Sequence, residues 1–409
     1  MSKDDLRRWS YHAHGAHYRE YAIGEMREHA QSWLDFDTVG SWYDWRMYRH
    51  LDPLLQSDRQ ACWLTVGDGR YGLDAHYIVK RGGKAVASDI SGDLLEQGRQ
   101  MGLITDYVAQ NAEKMTFADD SFDYVFCKES YHHFPRPMLA LYEMLRVARK
   151  AVVLIEPLDP VIPEPLLSSR RIDREDRRFP KLSARARRIQ QQERSQRNSF
   201  ETMGNYVYTL SAREIEKVAI GMGLPAVAIK PFHNCYLRGI EYEKKSRSSK
   251  LLRRLRGKNL LRNIISRFGL LPYPMASMIL FKEAPRDETL RELREKGYQV
   301  TPMPESPLLG IVKALPRLQG KRVVIFGAGS FGQQMLGILK LFQVDAQAFI
   351  DNDPTKRGVT VMGIPIEEPA SLGRGDYVFI ASTWGEAIRE QLTGLGFTEE
   401  DVTLCRLWD

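Results

Sequence analysis

The sequence predicts an α/β protein made of two parallel-sheet units, and three observations carry that expectation. First, the apolar run Trp63-Leu64-Thr65-Val66 ends in Gly67, Gly69 and Gly72, and a second run, Val86-Ala87-Ser88, closes on Asp89. This is the pattern of a strand, a tight turn, a helix and a second strand ending in an acid. Second, segments between residues 61 and 156 alternate as strand, helix, strand, helix, strand, strand, helix, strand, which predicts a parallel sheet. Third, the glycine pattern recurs near the C-terminus. Arg322-Val323-Val324-Ile325-Phe326 runs into Gly327, Gly329 and Gly332, with Asp351 about twenty residues further on.

Taken in order, residues 1–35 mix charges, histidines and aromatics and read as a helical N-terminal extension. Residues 38–48 carry Trp42, Tyr43 and Trp45, an aromatic load that suits a helix over a pocket or an ordinary packing face. The segment 158–200 is polar, arginine-rich and insertion-like. Regular structure resumes near Tyr208, where Ser211 and Glu214 have the spacing of a capping box. A helix end and a strand follow between Gly221 and Tyr236, and Ala276–Phe281 forms a last strand. A basic insertion, 238–272, separates those two strands. Residues 285–319 read as a charged, proline-punctuated linker, and 320–409 as the second unit.

Other segments sharpen the first unit. Ala109-Gln110-Asn111-Ala112-Glu113 is followed by Asp119-Asp120-Ser121-Phe122-Asp123 and Tyr124–Glu129. Tyr131-His132-His133-Phe134-Pro135 leads into the helix-like Ala140–Val147, and Ala151–Ile155 ends on Glu156. In this order the series resembles the class I S-adenosylmethionine (SAM) dependent methyltransferases over residues 36–284. The resemblance implies a Rossmann-like methyltransferase sheet with SAM as cofactor. Gly67, Asp68 and Gly69 would then meet its methionine and ribose portions, Asp89 the ribose hydroxyls, and Ile90 the adenine face. Asn111 stands where relatives commonly have an aspartate near the adenine amino group. Its amide oxygen can accept a hydrogen bond there without the charge. Ala112 suits that position by being small, and Glu113 is either a contact or a solvated turn residue.

Methyl transfer needs an aligned nucleophile and, for a hydroxyl or amine, a base. His132 and His133 follow the fourth predicted strand, at the sheet edge where open α/β folds bind ligands. Either could be that base, or both could serve local hydrogen bonding. Glu129 and Tyr131 are candidate contacts in the same segment, with Glu156 a weaker one. The second unit resembles the small Rossmann-like N-terminal domain of bacterial sugar acyltransferases. Its Gly327, Gly329, Gly332 and Asp351 could hold a nucleotide sugar, NAD or nothing.

With 43% hydrophobic and 27% charged residues, the chain has the composition of a soluble globular protein. It has no apolar run of about 18 residues and no signal-peptide core at Met1-Ser2-Lys3-Asp4-Asp5. Cys62, Cys127, Cys235 and Cys405 are widely spaced and show no zinc-type pattern, so free thiols and no metal are expected. The net charge of +7 is concentrated. Arg170–Arg197 holds eleven Lys/Arg against four Asp/Glu, and Lys244–Arg267 holds ten Lys/Arg and no acid. The remainder is therefore acidic, and the basicity belongs to two segments. The second segment also has leucines at helical spacing, so it can meet an anionic membrane or stay a solvated surface.

Together these readings predict a cytoplasmic, bacterial-type methyltransferase, with peripheral contact to the inner membrane face as an option. The expected acceptor is a saccharide, phosphate-bearing or lipid-linked, in surface polysaccharide or glycoconjugate biosynthesis. An NAD-dependent oxidoreductase and a non-catalytic scaffold are the alternatives. A nucleic-acid substrate is disfavoured, because no Asn/Asp-Pro-Pro-Tyr/Phe motif is present.

Overall fold

The computed structural model describes residues 3–159, 203, 205–304 and 307–405. The insertion expected at 158–200 falls outside the described residues from 160 onward, and the basic run Arg170–Arg197 lies outside them entirely. The chain divides into Met1–Met303 and Pro304–Asp409.

In the first unit, helices α1 (Lys3–Ile23), α2 (Arg27–Ser32), α3 (Val39–Tyr48) and α4 (Asp52–Ser57) precede the sheet. Then come β1 (Cys62–Val66), α5 (Leu73–Lys80), β2 (Lys84–Asp89), α6 (Asp93–Gln100), β3 (Asp106–Ala109), β4 (Phe122–Lys128), α7 (Pro137–Val147) and β5 (Ala148–Pro157). This succession is the one expected from the alternation of apolar runs. The chain continues through α8 (Ala212–Gly221), β6 (Ala226–Phe232), α9 (Lys250–Arg267), β7 (Met275–Phe281), α10 (Asp287–Glu295) and β8 (Gln299–Pro302).

The strands lie in the order β3-β2-β1-β4-β5-β7-β6-β8. The first five are parallel, whereas β7 runs antiparallel to both β5 and β6. Strand order reverses between β1 and β4, where a crevice opens beyond the carboxyl ends of the strands. The register sets Val66 beside Ser88 and Cys127, so the turns after β1, β2 and β4 meet at one edge. Alternate residues fill the two faces of the sheet. Trp63, Phe126 and Val153 pack with Leu51, Leu54 and Ile78 on one side. Leu64, Val125 and Val152 pack with Leu141 and Met144 of α7 on the other. Capping at α8 follows its sequence signature, since Ser211 and Glu214 form the reciprocal box.

The linker expected at 285–319 is corrected by the structure. Within it, α10 buries Thr289 and Leu293, and β8 pairs antiparallel with β6. A strand of four residues in a charged setting carries too little alternation to be recognised from sequence.

The second unit holds α11 (Pro307–Ala314), β9 (Arg322–Phe326), α12 (Ser330–Leu341), β10 (Ala348–Ile350), β11 (Thr360–Val361), β12 (Ile364–Glu367), β13 (Asp376–Ile380), α13 (Gly385–Gly394) and β14 (Val402–Leu404). Its sheet order is β11-β12-β10-β9-β13-β14. All neighbours are parallel except the β11–β12 pair.

Candidate functional site

A cavity of about 630 Å³ lies at the reversal point of the first sheet. Val66 and Gly67 line it from β1, Ser88, Asp89 and Ile90 from β2, and Gln110, Asn111, Ala112 and Glu113 from beyond β3. Ser130, His133 and Phe134 line it from the segment after β4. The opposite wall is α1, through Tyr11, His14, His17 and Tyr18. Its size falls within the range of small-molecule and cofactor sites.

Asp89 and Glu113 are buried carboxylates that line this cavity. Burial raises the pKa of Asp89 to about 7, against the lowering effect of the backbone N–H groups of Ser91, Gly69 and Ile90. The Ser91 N–H donates to Oδ1 at 2.9 Å. Gly69 has no room for a side chain, because a Cβ there would lie 2.6 Å from the Tyr18 ring and 2.9 Å from Asp89 Oδ2. Bare backbone at position 69 lets the Tyr18 ring pack close and lets the Gly69 N–H reach the Asp89 carboxylate, but Gly69 itself is not among the residues that line the cavity.

Asp68 was expected beside the cofactor, and the structure corrects this. Its buried carboxylate accepts the Thr65 hydroxyl at 2.8 Å and the N–H groups of Asp74 and Ala75 at 3.1 and 2.9 Å. These are orphan donors of the first turn of α5, so Asp68 anchors that helix. Burial, reinforced by Asp74, pushes its carboxyl well above the ordinary range.

Asn111 lines the cavity, but its Oδ1 already accepts the Glu113 N–H at 2.8 Å. Gln110, which was not anticipated, supplies a cavity-lining amide instead. Its Oε1 accepts from the Thr116 N–H at 3.1 Å, while Nε2 is buried without a partner among the described residues. A buried donor of this kind fits a heteroaromatic ring nitrogen such as those of adenine.

Glu113 ties α1 to the sheet. It accepts the Tyr11 hydroxyl at 2.7 Å and the Arg136 N–H at 2.7 Å, and also pairs with the Arg136 guanidinium. Asn205 adds a second tie, lying 3.1 Å from His14 Nε2 and donating to the His133 carbonyl at 2.9 Å. If α1 closes the cavity, removing the Tyr11 hydroxyl loses a charge-assisted bond of about 1.5 kcal/mol. Tyr11→Phe should then weaken binding of S-adenosylhomocysteine roughly tenfold, through faster dissociation in stopped-flow traces. Unchanged dissociation would exclude α1 as the closing element.

After β4, the two histidines part company. His133 lines the cavity. His132 Nδ1 lies 2.6 Å from Oε2 of the fully buried Glu156. Glu156 Oε1 also accepts the Ser130 and Tyr131 N–H groups at 2.9 and 3.0 Å, which fixes the turn carrying both histidines. Their ring centroids are 4.0 Å apart. Glu129 does not line the cavity. It is half-buried with a φ of 49°, and burial raises its pKa against the pull of Lys128. Tyr131 is corrected to a core residue, buried with its hydroxyl 3.6 Å from Met138 Sδ. Trp42 and Tyr43 pack on Val39, Leu252 and Leu255, the packing-face alternative.

In the second unit, the turn is built for close packing. A Cβ on Gly327 would lie 2.4 Å from the Ala381 carbonyl oxygen, and one on Gly332 would lie 1.8 Å from that of Gly327. Gly329 has open space beside it. Asp351 accepts the Ala328 and Asp353 N–H groups, each at 3.0 Å, and pairs with Lys356 at 2.9 Å. Its carboxylate therefore braces the turn.

Residues 64–155 match the family described as methyltransferase domain. That stretch therefore carries the signature of a methyltransferase domain, and the cofactor expected from the sequence is SAM. Residues 319–403 match the family described as C2185-like, N-terminal. No curated protein is significantly similar to the chain. Among solved structures, a SAM-dependent methyltransferase from Archaeoglobus fulgidus is 14% identical, with a TM-score of 0.35, covering 58% of this chain and 93% of its own. The YcgJ protein from Bacillus subtilis is 15% identical, with a TM-score of 0.34 and coverage of 58% and 99%. A SAM-dependent methyltransferase from Methanosarcina mazei is 11% identical, with a TM-score of 0.34 and coverage of 57% and 98%.

The residues present fit that cofactor. Asp89 lines the cavity and offers an acceptor to a ribose diol, and Gln110 Nε2 offers an unused donor.

Proposed function

We propose that the enzyme methylates a hydroxyl of a saccharide, with an amine as the second choice of nucleophile, in surface polysaccharide or glycoconjugate biosynthesis. The observation that carries this reading is the pairing of His132 with buried Glu156 beside the cofactor cavity. A sugar hydroxyl is a poor nucleophile until its proton is removed, and an imidazole oriented by a carboxylate is suited to that task. With Nδ1–H donated to Glu156, the basic lone pair of His132 lies on Nε2.

When bound, SAM supplies a methyl group on a sulfonium, a carbon open to in-line attack. The chain's own residues do the rest. Asp89 would hold the ribose end, and α1 would close the cavity against water. His132 would take the proton of an acceptor hydroxyl as that oxygen becomes a nucleophile. Glu156 orients the imidazole through Nδ1 and would stabilise the imidazolium.

The saccharide part of the reading is supported by the resemblance of the C-terminal unit to sugar acyltransferase N-terminal domains. Incubation with methyl-labelled SAM and a panel of nucleotide sugars, lipid-linked saccharides and amines tests it. Label should enter a saccharide in base-stable ether linkage. Transfer only to amines would overturn the hydroxyl assignment, and binding of SAM without transfer to any acceptor would favour a scaffold.

A further inference from the structure

Among the described residues, helix α9 is fastened to the first unit mainly along one side. Leu252 and Leu255 are buried against Val39, Cys235 and Ile240. Further along, Asn259 Oδ1 accepts the Cys235 N–H at 2.8 Å, Asn263 Oδ1 accepts the His233 N–H at 3.1 Å, and Ser266 Oγ lies 2.8 Å from His233 Nε2. These five positions share one face at 3.6 residues per turn.

What the outward positions offer changes along the axis. In the first two turns the outward positions are Lys250, Arg253, Arg254 and Arg256, all exposed. Beyond Gly257 they become Leu260, Leu261 and Ile264, and the chain then adds Phe268 and Leu270. These five apolar side chains are between 48% (Ile264) and 74% (Phe268) exposed. Arg262 and Arg267 flank them. A cluster of large aliphatic and aromatic side chains left in water marks an interaction surface. The charge identifies the partner, since Lys244–Arg267 has ten cations and no acid.

We propose that the outer face of α9 and the following turn dock on an anionic phospholipid bilayer. Lys250, Arg253, Arg254 and Arg256 meet the headgroups, while Leu260, Ile264, Phe268 and Leu270 enter the acyl boundary. Apolar anchorage and attraction to anionic lipid are both needed, because either alone gives weak, reversible binding. This surface would hold the catalytic unit against the membrane. It is independent of which acceptor is methylated.

The test is cosedimentation of the full chain with vesicles of phosphatidylcholine alone or with 30% phosphatidylglycerol (about one lipid in three), at low and high salt. The protein should pellet with the anionic vesicles and stay in solution with the neutral ones. Ile264→Ser with Phe268→Ser should weaken the partition about tenfold or more while leaving the thermal midpoint and SAM affinity unchanged. Arg253→Gln, Arg254→Gln and Arg256→Gln together should weaken it about 10²-fold and flatten its salt dependence. Failure of the wild-type protein to pellet with anionic vesicles at low salt would overturn the proposal. So would equal binding by the apolar variant, which would leave only a solvated cationic surface. A wild-type dimer in solution that Ile264→Ser with Phe268→Ser converts to monomer would assign the face to a second copy of the chain.

Discussion

Replacing His132 by alanine should lower turnover about 10²–10⁴-fold while leaving the affinity for SAM nearly unchanged. The base is then lost but the cavity wall is not, because His133, not His132, lines the cavity. In the wild-type enzyme the rate should fall on the acid side as the imidazole protonates, since only the neutral form accepts a proton. The variant should lose that acid limb. Glu156→Gln should act more widely, because the buried carboxylate also holds the Ser130 and Tyr131 N–H groups. It should cost thermal stability as well as turnover. His133→Ala should reverse the pattern seen for His132, weakening SAM binding more than it slows chemistry. Full activity in the His132→Ala enzyme would remove the base from this position and leave His133, the other candidate, to be tested.

The second large effect has opposite signs for stability and for binding. Asp89 has its pKa raised to about 7 by burial, against about 3.9 in an unfolded chain. Between those values the folded protein holds a proton that the unfolded chain has released. Stability therefore falls as pH rises through the window from about 4 to 7, by up to roughly 4 kcal/mol. Asp89→Asn keeps the shape and removes the ionisation. The variant apoprotein should melt at a higher temperature than wild type at pH 8, with the difference vanishing near pH 4. Its SAM affinity should nonetheless drop by about one to two decades, because a ribose diol loses a charged acceptor worth roughly 1.5–3 kcal/mol. For the same reason wild-type affinity should rise between pH 6 and pH 8, and the variant's should not. Scanning calorimetry from pH 4 to 8 checks the first half, and a binding series over the same range checks the second.

The parallel half of the fold was legible because each buried strand is a short apolar run ended by glycine or an acid, and because helix-like segments separate the strands. The cavity floor was legible for the same reason, since Gly67, Asp89, Ile90 and Ala112 sit at strand ends whose position follows from topology. Spacing locates Asp68 in the turn without saying which way its side chain points. The free N–H groups at the start of α5 decide that direction. The α1 wall was not legible. Tyr11 reaches Glu113 and His14 reaches Asn205 only in three dimensions, and no local pattern encodes so distant a pairing. On α9, leucines occupy both the buried and the outward face, which blurs the helical periodicity that would have separated them.

The central claim is that the cavity under α1 holds SAM through Asp89. Calorimetric titration of S-adenosylhomocysteine into the full chain at pH 8, beside Asp89→Asn and with NAD as a control, tests it most directly. One site per chain, a loss of one to two decades in the variant, and no heat from NAD at that site are expected. Equal affinity in wild type and a folded Asp89→Asn protein would contradict it.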